Sequence, residues 1–276
     1  TTTAPIELHF TLQLPSGSDN RTFGTIVILH GLLCAGLPIK CLRFRHHPVR
    51  GSSRNWGTHS RTFVSSLNRP VYALDLRNHG ASAHSRPMTY SAMATDVVHF
   101  SRKHSLSDVA LIGHSMGGKV AMSVALDPAL STSTLSKLVV VDIAPTRGKL
   151  SEEFERYVEA MDIIERAKLS TRAEALEILQ QYEQVTSYCR NSRVCAFLLT
   201  NLIQKADASQ FRIPVGLIGD SIAELGSLPY APHEAQWDGE AMFIKGARSK
   251  FLNRHNGDTA QKFFPKMKME TLDTNH

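Results

Sequence analysis

Residues 113–118 carry the pattern in this sequence that points most directly to chemistry. They read GHSMGG, which contains the form G-x-S-x-G, a serine between two glycines. A bare match is weak evidence, but this one follows an apolar run at 109–112 and opens a helical pattern. In that context the glycines permit a sharp turn that raises the serine hydroxyl out of a sheet, at the positive end of a helix. Ser115 is therefore the candidate nucleophile.

A serine hydroxyl is a poor nucleophile at neutral pH and needs an adjacent base to accept its proton. In a chain with this motif, the base is expected to be a histidine that follows the last strand. His276 follows the residues LDTN in that place. We predict that His276 is the base, and the alternative interpretation of this position is a frayed chain terminus.

The acid that would orient this histidine is less clear from the residues. The usual place is the loop after the strand predicted at 241–244, where Ser249 occupies the expected aspartate position. Asp142 ends a different predicted strand, and strand ends at that edge of a parallel sheet face the active site. We predict Asp142 as the acid. The alternatives are a histidine held by Ser249 or by water, Asp258, which we interpret as a helix cap, and the weaker candidate Asp220.

A tetrahedral intermediate on the serine would need two backbone N–H donors. We predict the amide of Met116, the residue after the nucleophile, and the amide of Leu32, in the loop after His30-Gly31. His79 lies in a polar turn, and we interpret it as a support for the site and not as a base. Trp237 is left open between lining a pocket and plain packing.

Short apolar runs alternate with helical patterns along much of the chain. Strands are predicted at 6–14, at the sheet edge, and at 25–29, 71–76, 109–112, 138–143, 241–244 and 267–272, with helices at 58–68, 90–104, 117–126 and 258–264. This alternation predicts an α/β fold, in which helices cover both faces of a mostly parallel sheet.

Two segments interrupt the alternation. After Pro145, three helices are predicted at 151–169, 172–184 and 190–205 with no strand between them. We therefore predict a core formed by 1–145 and 241–276, and a helical cap at 146–240 over the strand ends. Residues 34–50 are an anomalous insertion in a strand-to-helix connection that is normally a few residues long, and we interpret them as translated intron or a disordered insertion.

Composition argues against several classes of function. The net charge is +6, and residues 34–50 supply four of these charges without any acid, so the rest of the chain is near neutral. No basic stripe interleaved with aromatic residues is present, so nucleic acid is not an expected partner. No apolar run approaches the ~20 residues of a membrane helix. The four cysteines form no C-x-x-C pair, and we predict reduced thiols, no metal and no cofactor.

Five motifs occur in order along the chain: HG at 30–31, GSSRNW at 51–56, DLRNHG at 75–80, GHSMGG at 113–118 and VDIAP at 141–145. Together they resemble the mitochondrial α/β-hydrolases, a family that includes fungal ethanol acetyltransferases, animal mitochondrial relatives and small bacterial esterases. The resemblance covers nearly the whole chain except residues 34–50. It implies the α/β-hydrolase fold, serine esterase or thioesterase activity on short acyl groups, acyl transfer to an alcohol as a further activity, and a mitochondrial location.

The resemblance also bears on the site. Ser115 and His276 match the family's nucleophile and base, and Asp142 matches the acid of the fungal members. Because family members continue past the histidine with a closing helix, the resemblance implies that this chain is a fragment. The expected partner is a small acyl ester or thioester. The alternative from another class is a non-catalytic relative that binds a partner through its cap.

Overall fold

The fold is built on a seven-stranded sheet, seen in a computed structural model that describes residues 3–33, 56–131, 133–150, 152–185, 192–204 and 208–274. The strands of this sheet are β1 (Phe10–Gln13), β2 (Ile26–Leu29), β3 (Val71–Leu74), β4 (Val109–His114), β5 (Leu135–Val141), β8 (Glu240–Gly246) and β9 (Lys268–Leu272). Their order across the sheet is β1-β3-β2-β4-β5-β8-β9. β1 pairs antiparallel with β3, and all the other pairs are parallel.

Helices cover both faces of this sheet. They are α1 (Gly57–Leu67), α2 (Tyr90–Lys103), α3 (Met116–Ala125) and α8 (Arg254–Phe263). Trp56 and the α1 residues Phe63 and Val64 pack against Ile26 and Val71 on one face, whereas α2 and α3 contribute to the larger apolar core. Because helices cover both faces, β2 and β3 are buried along their whole length and read as continuous apolar runs, IVIL and VYAL.

An insertion connects β5 to β8. It contains α4 (Glu152–Arg166), α5 (Arg172–Val185), α6 (Ser192–Leu198) and α7 (Val215–Ser221), and a two-stranded antiparallel sheet of β6 (Leu202–Gln204) and β7 (Ser209–Phe211). α4 lies at its centre, where it contacts α5, α7 and β7 and buries Ala160, Met161 and Ile164 completely. The division of the chain into a core and a cap stays a prediction.

The structure confirms the predicted α/β class and corrects three details. The helix expected at 190–205 ends at Leu198, and Leu202–Gln204 form β6, so the expectation of no strand in this region was wrong. The helix expected at 258–264 begins at Arg254, because Asn253 caps it, so Asp258 is an exposed residue within the helix and not its cap. The edge strand expected at 6–14 is shorter, Phe10–Gln13. Residues 34–50 lie outside the described residues.

The strand order creates a natural place for a ligand. From β2 the chain passes to β3 on one side, and β4 then lies on the other side of β2. In open parallel sheets, ligands bind at the carboxyl ends of the strands where the order reverses in this way. The carboxyl ends of β2 and β4 lead directly into the loop of Leu32 and into Ser115.

Candidate active site

Ser115 occupies a strained turn between β4 and α3. Its backbone angles are φ 53° and ψ −118°, which cost a residue other than glycine on the order of 1–3 kcal/mol. The surrounding hydrogen bonds hold this conformation. The amide of Ser115 donates to the carbonyl of Val141 at 3.0 Å, and its carbonyl accepts from the amides of Gly118 at 2.9 Å and Lys119 at 3.1 Å. The serine side chain is half-buried.

The glycines of the motif are required by close packing around this turn. A Cβ added to Gly113 would lie 2.2 Å from the carbonyl oxygen of Gly117. A Cβ on Gly117 would lie 2.5 Å from the carbonyl oxygens of both Leu29 and His30. The turn after the serine therefore rests directly against the end of β2, where the predicted oxyanion loop begins.

Asp142 follows β5 and is buried beside the end of β8. It has a positive φ of 53°, and its amide continues the sheet by donating to the carbonyl of Ile244 at 2.8 Å. The amide of Gly246 donates to Asp142 Oδ1 at 3.1 Å. The carboxylate of Asp142 thus lies at the end of β8, next to the loop where the acid is usually expected and where this chain has Ser249.

The chain after β9 runs beside the same loop. Leu272 pairs with Gly246, the amide of Ala247 donates to the carbonyl of Leu272 at 2.8 Å, and the amide of Arg248 donates to the carbonyl of Thr274 at 3.1 Å. His276 lies outside the described residues. It is two residues beyond Thr274, a separation that an extended chain spans in at most about 7 Å.

The other three residues considered as partners of the histidine, Ser249, Asp220 and Asp258, have different surroundings from Asp142. Ser249 is in a turn closed by its amide and the carbonyl of Gly246 at 3.0 Å, and its hydroxyl accepts from the amide of Phe251. Asp220 is exposed on α7 and pairs with Arg86 at 2.5 Å. Asp258 is exposed on α8. Asp142 is the buried member of this set.

The two predicted oxyanion donors belong to the first turn of α3 and to the loop after β2. Met116 is the first residue of α3, and the first N–H groups of an α-helix have no partner within the helix. Leu32 is buried in the loop after β2. The next residue, Leu33, has a φ of 54°, and its amide donates to His79 Nε2 at 3.3 Å.

Two buried histidines, His30 and His79, are in their neutral form and form hydrogen bonds to the loop that contains Leu32. In His79, Nδ1 donates to the carbonyl of Arg77 at 3.0 Å and Nε2 accepts from the amide of Leu33. In His30, Nδ1 donates to the carbonyl of Gly31 at 2.9 Å and Nε2 accepts from the amide of Leu76 at 3.0 Å. Burial, and secondarily the neighbouring His30, lowers the pKa of His79 to about 3, and burial also lowers the pKa of His30. Both rings use both nitrogens, so neither is available to take a proton from Ser115.

Sequence comparison identifies the family of this chain. Residues 26–238, which are more than half of the chain, match the alpha/beta hydrolase family. The chain belongs to the alpha/beta hydrolase family. Its fold is the one that the resemblance implied, and the position of Ser115 between a strand and a helix is the one that the motif predicted.

Three relatives illustrate the range of this alpha/beta hydrolase family. The chain is 33% identical to an sn-1-specific diacylglycerol lipase of Xenopus tropicalis, covering 92% of this chain and 78% of the relative. It is 28% identical to an ethanol acetyltransferase of Cyberlindnera fabianii, covering 83% of this chain and 72% of the relative. The solved structure of a marine microorganism esterase superposes with a TM-score of 0.79 at 27% identity, covering 98% of this chain and 93% of that one.

A buried ion pair supports the site of this hydrolase and was missed in the sequence. Arg77 and Asp96 are fully buried and share two hydrogen bonds of 2.7 Å, from Nε and from a terminal guanidinium nitrogen. Asp96 also accepts from the amide of Ile6 at 2.8 Å. The pair anchors the turn that carries His79 to α2. The signal in the sequence was an arginine directly after a buried strand.

A buried lysine on α3 was also missed. Lys119 Nζ donates to the carbonyls of Thr146 at 3.1 Å and Gly226 at 2.6 Å and lies 5.6 Å from the centre of the Tyr90 ring. Burial lowers its pKa to about 8. Lys119 thereby ties α3, the helix after the candidate nucleophile, to two parts of the insertion that are 80 residues apart in the sequence, at Thr146 and Gly226. The signal was a lysine in the otherwise small and apolar sequence of α3, MGGKVAMSVA.

Trp237 packs against the end of α8. Its ring lies 6.4 Å from that of Phe264, and its amide donates to the carbonyl of Phe263 at 2.9 Å. Among the described residues, no group of three or more His, Cys, Asp or Glu side chains could hold a metal ion, and Cys195 is a buried free thiol. None of the helices in that part of the chain is long and apolar enough to cross a membrane.

Proposed function

We propose that this alpha/beta hydrolase cleaves short-chain acyl esters or thioesters through an acyl-enzyme on Ser115. The observation that carries the proposal is the strained turn of Ser115, which lies at the carboxyl end of β4 and at the start of α3. Natural sequences keep such strain where function needs it. The proposal is supported by the neighbours of this turn, because its backbone bonds to Val141 at the end of β5 and Gly117 packs against Leu29 and His30 at the end of β2.

In the first half of the proposed reaction, His276 accepts the hydroxyl proton of Ser115 as the oxygen attacks the acyl carbonyl carbon. The carbonyl oxygen becomes an oxyanion, which accepts hydrogen bonds from the amides of Met116 and Leu32. Asp142 orients His276 and stabilises its imidazolium form. The imidazolium then gives its proton to the leaving alcohol or thiol, and the acyl group stays on Ser115.

In the second half, water attacks the carbonyl carbon of the acyl-enzyme while His276 removes a proton from that water. The second tetrahedral intermediate collapses, the carboxylic acid leaves, and the proton returns to Ser115. The partnership of Asp142 and His276 is supported by the course of the chain. Gly246 donates to Asp142, pairs with Leu272, and so brings the end of β9 next to the carboxylate.

Acyl transfer to an alcohol is a second candidate function. It needs the same acyl-enzyme, with an alcohol in place of water in the second half of the reaction. The observation that favours it is the 28% identity to an ethanol acetyltransferase. Analysis of products from an acyl thioester with added ethanol separates the two functions, because transfer yields the ethyl ester and hydrolysis yields the acid.

The relatives also bear on the type of bond cleaved. One relative is a diacylglycerol lipase and a structural neighbour is an esterase, and both names describe ester cleavage, which supports an ester substrate for this chain. We propose short acyl groups and a mitochondrial location from the resemblance of the sequence motifs. A series of p-nitrophenyl esters of increasing chain length tests the first, and imaging of the tagged protein tests the second.

The proposed function is tested by fluorophosphonate labelling of the full chain, followed by p-nitrophenyl acetate hydrolysis. Ser115→Ala is expected to abolish labelling and to lower the rate at least about 10⁴-fold. Ser123→Ala is the matched control. Ser123 lies on the same helix, and its buried hydroxyl donates to the carbonyl of Lys119 at 2.8 Å, away from the turn. This control should keep its label.

A folded wild-type chain that takes no label would contradict the hydrolase mechanism. The binding of a partner by a non-catalytic relative would then be the better explanation. Labelling that persists in Ser115→Ala would show that another nucleophile reacts.

A further inference from the structure

The loop that carries Leu32 is fixed by three buried side chains, one for each successive peptide group. His30 Nδ1 donates to the carbonyl of Gly31, and the amide of Leu33 donates to His79 Nε2. Asn201 Nδ2 donates to the carbonyl of Leu33 at 3.1 Å. His30 and His79 belong to the sheet loops, whereas Asn201 belongs to the insertion, in a 3-10 turn at Leu199–Asn201.

These contacts determine where the Leu32 amide points. In a trans peptide group, the C=O and N–H bonds point in opposite directions. The carbonyl of Gly31 and the amide of Leu32 belong to one peptide group, so the contact from His30 directs the Leu32 amide to the opposite side. The contact from His79 fixes the following peptide group, between Leu32 and Leu33.

The third contact locks an unfavourable conformation. Leu33 has a φ of 54°, a region that costs residues other than glycine free energy, and without a restraint the peptide group could relax. Asn201 restrains it from the insertion side. Asn201 is itself buried, and its carbonyl accepts from the amide of Arg212 at 2.8 Å, which fixes its own backbone.

We infer that Asn201 is a positioning residue for the oxyanion donor at Leu32, so that the donor is aligned only when the insertion is seated on the sheet. This inference rests on the proposed serine hydrolase function. It makes the insertion part of the machinery that stabilises the transition state, in addition to any role in enclosing the substrate.

The test uses the isosteric variant Asn201→Asp, which replaces the donating amide by an acceptor, together with Asn201→Ala. Thr200→Val is the matched control, because Thr200 lies in the same turn and its hydroxyl donates to the carbonyl of Phe197, away from the loop. For each protein, fluorophosphonate titration counts the active serines. The rate of p-nitrophenyl acetate hydrolysis and the affinity for a trifluoromethyl ketone, which forms an oxyanion on the serine, are then measured per titrated site.

Both Asn201 variants are expected to lose about tenfold in kcat and about tenfold in affinity for the ketone, with KM changed by less than about twofold. Thr200→Val should match the wild type. A role in folding alone would lower the titrated fraction and leave the ketone affinity per site unchanged, and that result would overturn the inference. A wild-type chain that takes no fluorophosphonate label would overturn the proposed function and this inference with it.

Discussion

The strand ends of the sheet and the insertion between β5 and β8 are stabilised by different means. Among the described residues, the buried charged side chains all lie in the loops that follow the strands and in the helices α2 and α3 that cover the sheet: Asp75, Arg77, Asp96, Lys119 and Asp142. In the part of the insertion that the structure describes, the buried polar side chains are neutral, namely Asn201, Ser209 and Ser221, and the helices pack through apolar residues such as Met161 and Ile164.

This difference determines how each region responds to substitution. A buried charge whose partner is removed is strongly destabilising, so each member of such a pair is needed. Apolar packing tolerates substitutions that conserve volume. We therefore expect single substitutions in the loops around Ser115 to destabilise the protein. Substitutions on the surface of the insertion should leave its stability nearly unchanged.

The largest difference is expected between two Arg–Asp pairs of the same chemistry. Arg77→Met removes the partner of the fully buried Asp96 and should lower the free energy of unfolding by about 3–5 kcal/mol. Arg86→Met breaks the exposed pair with Asp220 on the insertion and should cost about 0–1 kcal/mol. Urea denaturation measures both. Equal losses would show that burial does not distinguish the two regions.

Two glycine substitutions make the same comparison through backbone packing. Gly117→Ala places a Cβ 2.5 Å from two carbonyl oxygens at the end of β2 and should cost about 3 kcal/mol, with loss of fluorophosphonate labelling. Gly216→Ala is the control in α7, where nothing lies within 4 Å of the added Cβ. It should leave stability unchanged or raise it by up to about 1 kcal/mol, because alanine favours a helix. A well-folded, labelled Gly117→Ala protein would contradict the close packing.

The most gradual effect is a dependence of stability on pH that comes from His79, spread over several pH units. Its pKa falls from 6.5 to about 3 on folding, so between these values the unfolded chain binds the proton that the folded chain excludes. Stability is therefore fully present above pH 6.5 and falls as the pH drops toward 3, by up to about 1.4 kcal/mol per pH unit for this group.

The His79→Asn variant isolates this contribution. Asparagine offers both a donor and an acceptor, and it does not titrate in this range. Its unfolding free energy should fall less steeply than that of the wild type between pH 6.5 and 3, and the two curves should run parallel above pH 6.5. Urea denaturation at a series of pH values gives both slopes, and identical slopes would place the titration on other groups.

The fold and the serine turn were predictable because their signals are local. A buried parallel strand is a short apolar run, and the turn at Ser115 needs glycines at fixed spacing between a strand and a helix. The helix predicted at 190–205 failed for the opposite reason. Leu202–Gln204 become a strand because they pair with Ser209–Phe211, and no local periodicity records that pairing.

The rest of the candidate site depends on contacts between distant parts of the sequence. Asp142 meets Gly246 104 residues later, and Leu33 meets Asn201 168 residues later. Sequence motifs and helical or strand periodicity concern residues close together in the sequence, so they do not predict contacts at these separations. The start of α8 was missed for a smaller reason, because its capping box pairs Asn253 with Asn256 in place of the acidic or glutamine residue usually sought.

The junction held by Lys119 has a consequence for how such proteins diversify. Lys119 bonds the carbonyls of both Thr146 and Gly226 within the insertion, and these two parts of the chain are so close that a Cβ on Gly226 would lie 1.9 Å from the carbonyl oxygen of Gly148. A segment whose two ends meet at one point can be exchanged between relatives without altering the strand order. Transplanting residues 149–225 from a relative, with Asn201 retained, is therefore a direct test of whether this segment determines substrate preference.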